Sequence, residues 1–135
     1  MEKGSCLCGK IEYEVELIPE KTFNCHCVQC RKSHGAAFAT QVFAKGSTLK
    51  FIKGEELIGE YQGELGIRAF CRHCGSRLMN YASDKNVYLS IALSTLDSDY
   101  SRGPVAHAFV AHKAAWHTPS TEIPAFDELP VGAIE

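Results

Sequence analysis

Hydrophobic and polar residues alternate along much of the chain, in short segments separated by turn-forming residues. From Ile11 to Leu17 every second residue is apolar, and the positions between them are glutamates. Such alternation over about four to eight residues is typical of a β-strand with one buried face. The same kind of pattern predicts further strands at 38–43, 49–52, 57–61, 68–71, 77–81, 87–91 and 107–111.

No segment has the sustained periodicity of a long amphipathic helix. The best helical candidates are one or two turns long, at 27–34 and 93–97. Several short strands with turns between them indicate a mainly β fold with only short helical turns. The length of 135 residues fits a single domain over 1–135. Near the end we expect Trp116 to be a core anchor, and Phe126 and Leu129 to attach the tail to the body.

Composition and charge exclude several function classes. The chain has 14 Lys and Arg against 16 Asp and Glu, and its net charge is −2. No cluster of basic residues stands out, so we expect no nucleic-acid partner. No apolar run approaches the roughly 20 residues that a membrane span requires, and the first residues do not resemble a signal peptide. These observations predict a cytoplasmic protein without a membrane partner.

Seven cysteines are the unusual feature of the composition, and they occur in three clusters. The clusters are Cys6-Leu7-Cys8-Gly9, Cys25-His26-Cys27-Val28-Gln29-Cys30 and Cys71-Arg72-His73-Cys74-Gly75. An odd number cannot pair completely within one chain, and reducing compartments keep thiols free. A cysteine-rich cytosolic protein is therefore more often metal-binding or catalytic than held together by disulfides.

A count of ligands assigns four cysteines to a structural site. Structural zinc takes four ligands in a tetrahedron, and Cys6, Cys8, Cys71 and Cys74 supply that number. A metal held in this way would connect the first residues to the middle of the chain. It would lower the entropy of the unfolded chain and add folding free energy.

Cys25, Cys27 and Cys30 remain, all within six residues. Three thiolates leave one corner of a tetrahedron open, which is the mark of a catalytic zinc. With three thiolates the site carries a net charge of −1, so zinc there is a poor activator of water. A soft ligand such as a substrate thiol suits it better, and zinc would hold that thiol as the nucleophilic thiolate.

Other interpretations of the cysteines stay open at this point. The thiols can be reduced and inert, the first cluster can share a metal with the second, or a redox function can use the CxC and CxxC pairs. The second cluster can also recruit a histidine and become a closed structural site. The free histidine candidates are His34, His107, His112 and His117, since His26 and His73 would point away from a metal held by their neighbours.

Basic residues lie near the cysteine clusters in sequence. They are Arg31, Lys32, Arg68, Arg72 and Arg77. Their side chains can bind the carboxylates of an anionic thiol such as glutathione. The alternative is that each is a solvated residue beside a thiolate-rich site.

In the order of its motifs, the chain resembles the glutathione-dependent formaldehyde-activating (GFA) enzymes and the related centromere protein V group. The motifs are Cys6-x-Cys8-Gly9, Cys25-His26-Cys27-x-x-Cys30, Cys71-x-x-Cys74-Gly75, and Trp116 with a Pro-Ala-Phe-Asp-Glu-Leu-Pro tail. The resemblance implies a fold of coiled antiparallel β-sheets with two zinc ions. It implies structural zinc on Cys6, Cys8, Cys71 and Cys74, and catalytic zinc on Cys25, Cys27 and Cys30, as the ligand count does.

The activity that this resemblance implies is that of a carbon–sulfur lyase. Glutathione would add to formaldehyde, or to a related aldehyde, and the reaction would also run in reverse. The competing hypothesis is a zinc-stabilised binding module in which both metals are structural and the surface performs the function. An open fourth position on the Cys25 cluster distinguishes the two. The sequence leaves the oligomeric state open.

Overall fold

Ten short strands and one helix make up the computed structural model, which describes residues 1–130 and 132. The strands are β1 (Glu2–Ser5), β2 (Glu12–Val15), β3 (Leu17–Cys25), β4 (Ala39–Ala44), β5 (Lys50–Lys53), β6 (Ile58–Gln62), β7 (Ile67–Cys71), β8 (Arg77–Tyr81), β9 (Leu89–Ala92) and β10 (Ala106–Ala108). The helix α1 spans Val28–His34, and 3₁₀ turns cover Gly46–Thr48, Glu55–Leu57, Leu93–Thr95 and Val110–His112. No helix in the described part of the chain is long and apolar enough to cross a membrane.

The strands form two sheets. A three-stranded antiparallel sheet has the order β1-β2-β5, and a seven-stranded sheet has the order β10-β3-β4-β9-β8-β7-β6. Every pair in the larger sheet is antiparallel except β10 with β3, which is parallel. The prediction of a mainly β fold with antiparallel sheets is confirmed, and the larger sheet adds one parallel pair. Pairing β4 with β9 joins segments about 50 residues apart, which local pattern does not encode.

One hydrophobic core lies between the two sheets. Tyr13 and Val15 of β2 are fully buried and belong to the same cluster as Val42 and Ile91 of the larger sheet. The Tyr13 hydroxyl is 2.6 Å from the hydroxyl of Thr95, so its polar end is satisfied inside the core. Gly4 of β1 is required here, because a Cβ at that position would lie 2.2 Å from the Tyr13 oxygen.

The larger sheet has a second buried face, and this face is polar. Register places Phe43, Ser90, Asn80 and Arg68 in one row across β4, β9, β8 and β7. Their chain neighbours on the opposite face belong to the hydrophobic core, because side chains alternate along a strand. Ser90, Asn80 and Arg68 are all buried. Buried polar groups such as these three require hydrogen-bond partners within the fold.

Most predicted elements are present, with shifted ends. The hairpin of β6 and β7, strands β4, β5, β8 and β9, and the helix near Cys27 all lie where the pattern predicts them. The pattern missed β1 and most of the long strand β3. Trp116 was predicted to be a core anchor, and this is wrong, since 77% of its side chain is exposed. The extent of the domain, 1–135, stays a prediction.

The tail is attached mainly through its backbone. The N–H of Phe126 donates to the carbonyl of His107 at 2.9 Å, and the Phe126 side chain is 42% exposed. Leu129 packs against the buried cluster of Phe23, Ala106 and Ala108. The attachment predicted for this segment is therefore present, with Leu129 rather than Phe126 as its main apolar contact.

Candidate metal centres and their cavity

Two chain turns bring the first and third cysteine clusters together. Cys6 and Cys8 lie in the turn after β1, Cys71 is the last residue of β7, and Cys74 lies in the turn after β7. Their four sulfur atoms all lie within 4.8 Å of one another. Each turn closes with a glycine that has positive φ, 76° at Gly9 and 82° at Gly75. Side chains with a Cβ rarely adopt this conformation. The site thus connects the smaller sheet to the larger one.

The spacing of these sulfurs fits zinc. A Zn–S bond of about 2.3 Å places the sulfurs of a tetrahedron about 3.8 Å apart. The Cys6 and Cys8 sulfurs are 3.5 Å apart, and those of Cys8 and Cys71 are 3.9 Å apart. Backbone N–H groups of Ile11 and Cys74 also donate to the sulfurs of Cys6 and Cys71, at 3.3 and 3.4 Å. Such bonds stabilise thiolates, the form that a metal requires.

Ser76 supports the same site from outside. Its oxygen accepts the N–H of Leu7 at 2.8 Å and lies 3.1 Å from the sulfur of Cys74, to which its hydroxyl donates. Hydrogen bonds from the Ser76 hydroxyl and backbone lower the pKa of Cys74 to about 5. Ser76 therefore links the two cysteine turns and favours the thiolate.

The second cluster is local in sequence and forms where β3 ends and α1 begins. Cys25 is the last residue of β3, Cys27 is the N-cap of α1, and Cys30 is buried in its first turn. The Cys27 sulfur accepts the backbone N–H of Cys30 at 3.2 Å, so it satisfies one of the free donors at the helix start. The three sulfurs lie within 4.8 Å of one another.

The closeness of the three thiols favours a single thiolate, at Cys27, while the pKa values of Cys25 and Cys30 are raised. Hydrogen bonds from the Cys25 and Cys30 thiols lower the pKa of Cys27 to far below its ordinary value. Hydrogen bonding to Cys27, and to a lesser extent to Cys30, raises the pKa of Cys25. Arg68 is buried beside the cluster, and its guanidinium nitrogens lie 3.8 and 3.9 Å from the Cys30 sulfur. A buried positive charge at this distance stabilises thiolate.

No histidine or carboxylate in residues 1–130 joins either group of sulfurs. The ring of His26 faces away from the cluster, with Nε2 3.4 Å from Nδ1 of His107. His107 in turn lies 2.8 Å from the carbonyl oxygen of Ser120 and donates to it through Nε2. His117 stacks on His26 with ring centroids 5.6 Å apart. These histidines therefore hold the tail against the sheet.

A cavity of about 170 Å³ adjoins the second cluster, and Cys25, Cys27 and Cys30 line it. Its polar wall is Gln41, Arg68, Asn80 and Ser90, from the buried polar face of the larger sheet. Its apolar wall is Phe23, Phe43, Leu65, Tyr88, Phe109 and Leu129. The open corner of a three-cysteine metal site would have room on this side.

A larger groove of about 800 Å³ lies on the other side of Arg68, between α1 and the hairpin of β6 and β7. Of the basic residues near the clusters, Lys32, Arg68 and Arg77 line it. Arg72 instead donates to the carbonyl of Glu56. The groove and the cavity share Arg68 as a common wall.

Comparison with known proteins assigns a family to this arrangement. The family described as "Glutathione-dependent formaldehyde-activating enzyme" matches residues 1–112, a stretch that contains all seven cysteines. The chain belongs to this GFA family. No curated protein matches the chain in sequence. The segment after residue 112, with Trp116 and Leu129, lies outside the match.

The fold is similar to that of a solved Rhodobacter sphaeroides protein from a structural genomics programme. The two chains are 24% identical, with a TM-score of 0.63, and the alignment covers 92% of this chain and 99% of that chain. The likeness shows the fold. Together, the GFA match and the two cysteine clusters show a protein with sites compatible with zinc.

Several cavity residues were missed by reasoning from sequence. Gln41, Asn80 and Ser90 occupy alternate positions in strands that were predicted correctly. Alternation alone assigns such polar positions to solvent. The signal that identifies them is register between strands that are distant in the chain, because it aligns Asn80 and Ser90 beside Arg68. Gln41 lies two residues from the position opposite Ser90 and reaches the Ser90 hydroxyl through its Nε2.

Proposed function

We propose that the protein is a zinc-dependent carbon–sulfur lyase of the GFA type, which joins a small thiol to an aldehyde and reverses that reaction. Cys6, Cys8, Cys71 and Cys74 hold the structural zinc in this proposal. The catalytic zinc belongs to Cys25, Cys27 and Cys30. Glutathione is the proposed thiol, and the proposed compartment is the cytoplasm, where thiols stay reduced.

The observation that carries the proposal is the composition of the second cluster. Three sulfurs gather on one wall of a cavity, and no fourth histidine, cysteine or carboxylate from residues 1–130 gathers with them. Zinc bound there supplies an exchangeable fourth position at which a thiol ionises near neutral pH. Arg68 then balances the excess negative charge of several thiolates in one buried place.

The groove supports a zwitterionic thiol of the size of glutathione, because basic side chains and the carboxylates of Glu60 and Glu64 both line it. A cavity of about 170 Å³ is below the usual range of about 300–1,000 Å³ for small-molecule sites, so the body of a tripeptide does not fit there and only its sulfur would reach the cysteine wall. The body of the thiol would occupy the groove of about 800 Å³. Lys32 and Arg77 on its wall can pair with the two carboxylates of glutathione.

The first prediction is the metal content. Protein purified without chelators and with reduced thiols is expected to contain about two zinc ions per chain, because the cysteines supply four ligands for one site and three for the other. Elemental analysis against protein concentration measures the ratio. A value of one that persists after reconstitution with excess zinc would contradict the two-site assignment.

The second prediction tests the open position. With cobalt in place of zinc, glutathione is expected to increase the thiolate-to-cobalt charge-transfer absorption in the near ultraviolet. It should also release about one proton per site at neutral pH, because a free thiol with a pKa of about 8.5 is ionised on binding. Spectral titration and pH-stat measurement record the two effects.

S-methylglutathione is the matched control, since it keeps the charges of glutathione and has no ionisable thiol. It is expected to produce neither effect. If glutathione also leaves the cobalt spectrum unchanged, the fourth position is closed. The binding-module hypothesis, in which both metals are structural, then replaces the lyase proposal.

A further inference from the structure

The cavity beside the second cluster is larger than formaldehyde requires. An apolar cavity of about 150 Å³ in another protein holds a benzene molecule, and the volume here is about 170 Å³. Formaldehyde has two heavy atoms and would leave most of this space without contacts. Unfilled space loses dispersion energy, so a larger partner would be bound better.

The walls of the cavity are suited to an apolar group. Phe23, Phe43 and Phe109 surround it, and Leu65 and Leu129 form another part of the wall. Phe109 is the one non-glycine residue in the described part of the chain with positive φ, at 58°. Such a conformation costs about 1–3 kcal/mol and tends to occur at functional sites. Leu129 comes from the tail outside the family match, whereas the other residues of this wall lie inside it.

One polar side chain in the cavity lacks a partner. Gln41 is only 5% exposed, and its Nε2 donates to the Ser90 hydroxyl at 3.0 Å. Its Oε1 is buried without a hydrogen bond among the described residues. Leaving such a group unpaired costs about 1–3 kcal/mol. The hydroxyl of a ligand could donate a hydrogen bond to Oε1. If the side-chain amide is rotated by 180°, its Nε2 could instead donate to the carbonyl oxygen of a ligand.

We propose, on the basis of the lyase function above, that the aldehyde partner is an apolar aldehyde up to the size of benzaldehyde. Its hydrocarbon part lies among Phe23, Phe43 and Phe109, and its oxygen binds Gln41. The thiolate sulfur attacks the carbonyl carbon, and a C–S bond forms as the C=O π bond breaks. The oxygen takes a proton from water, so the product is a hydroxy thioether and nothing is oxidised or reduced.

The kinetic test compares two aldehydes with glutathione on the zinc-loaded protein. Exchange NMR gives kcat/KM for benzaldehyde and for formaldehyde. Each value is divided by the rate constant of the uncatalysed addition of glutathione to that aldehyde, because formaldehyde is intrinsically the more reactive carbonyl. Benzaldehyde is expected to be favoured by about tenfold or more, the lower end of what apolar pocket contacts supply. Equal values, or a preference for formaldehyde, would overturn the proposal.

A binding test examines the cavity without thiol chemistry. Benzyl alcohol, which has the ring and an oxygen, is expected to bind the zinc-loaded protein in calorimetry. Leu65→Ser should weaken the binding of benzyl alcohol about fivefold, because it removes an apolar contact. Leu65 is 62% exposed, so this variant is expected to fold. Ile52→Ser changes an exposed residue of the other sheet and is the matched control, with no expected effect.

Gln41→Leu separates recognition of the oxygen from packing. The variant should weaken the binding of benzyl alcohol about tenfold, which is the effect of one lost hydrogen bond. The binding of toluene, which has no oxygen, should be unchanged. Absence of benzyl alcohol binding, or equal loss of both ligands in Gln41→Leu, would contradict the assignment. If benzyl alcohol binds as expected and glutathione does not alter the cobalt spectrum, the lyase function fails while the cavity assignment stands.

Discussion

Replacing Cys71 by alanine is expected to leave the protein unfolded or aggregated at 25 °C. A structural zinc supplies apparent binding free energies of about 10–16 kcal/mol, whereas a whole domain is stable by about 5–15 kcal/mol. The variant leaves three of the four sulfurs that link the two sheets, and Cys71 itself is fully buried. Circular dichroism and thermal melting of freshly purified protein measure the loss.

Ser76→Ala is the control for this experiment. It removes the bonds to Leu7 and Cys74 but no metal ligand. The expected loss is about 1–3 kcal/mol, since two hydrogen bonds are lost and each contributes a net value of about 0.5–1.5 kcal/mol. Addition of a strong chelator to the wild type should reproduce the Cys71→Ala result, since both remove the same metal. A Cys71→Ala variant that melts close to the wild type would show that this site does not stabilise the fold.

Cys27→Ser is expected to abolish activity while the fold survives. The second cluster joins only segments that are neighbours in sequence. Loss of its metal therefore removes no cross-link between distant parts of the chain. The serine oxygen can still accept the N–H of Cys30 and cap α1. Mutation of a residue that hydrogen-bonds to a metal ligand typically lowers activity by about 10–100-fold. Loss of a ligand itself should therefore lower activity by more than about 100-fold. Turnover, zinc content and the melting curve are measured on the same preparation.

Comparison of Cys27→Ala with Cys27→Ser separates the effect of the helix cap on stability from the effect of the metal ligand. Cys27→Ala loses the same ligand as Cys27→Ser and the capping bond as well, so it should be less stable than the serine variant by about 1 kcal/mol. Both variants should fail to give the cobalt change with glutathione. If either one unfolds as completely as Cys71→Ala, the division into a structural and a catalytic site is wrong.

The sequence predicted the local features of the fold and the candidate sites. The alternation around Tyr13 predicted β2, and the hairpin of β6 and β7 followed from two apolar segments around a turn. The ligand count grouped Cys6, Cys8, Cys71 and Cys74, with another pairing of the clusters left open, and the structure brings those four sulfurs together. The strand predictions succeeded because side-chain alternation depends only on order along the chain. The roles of the cysteines as zinc ligands stay predictions.

The interpretation of Trp116 failed for a physical reason. A large aromatic side chain is usually well buried, but this one lies in a tail that is attached through backbone hydrogen bonds. The parallel pairing of β10 with β3 was equally invisible, because the two strands are about 80 residues apart. Nothing in a local pattern specifies which distant strand becomes a neighbour.

The sequence by itself determined that the protein is mainly β, that seven cysteines fall into groups of four and three, and that the GFA motifs are present. Only the tertiary structure decided that Gln41, Asn80 and Ser90 lie beside Cys25 under a cover that includes Phe109 and Leu129. Alternation states which residues share a face within one strand. It does not state whether that face meets solvent or another part of the chain, because this depends on long-range pairing and on the path of the tail.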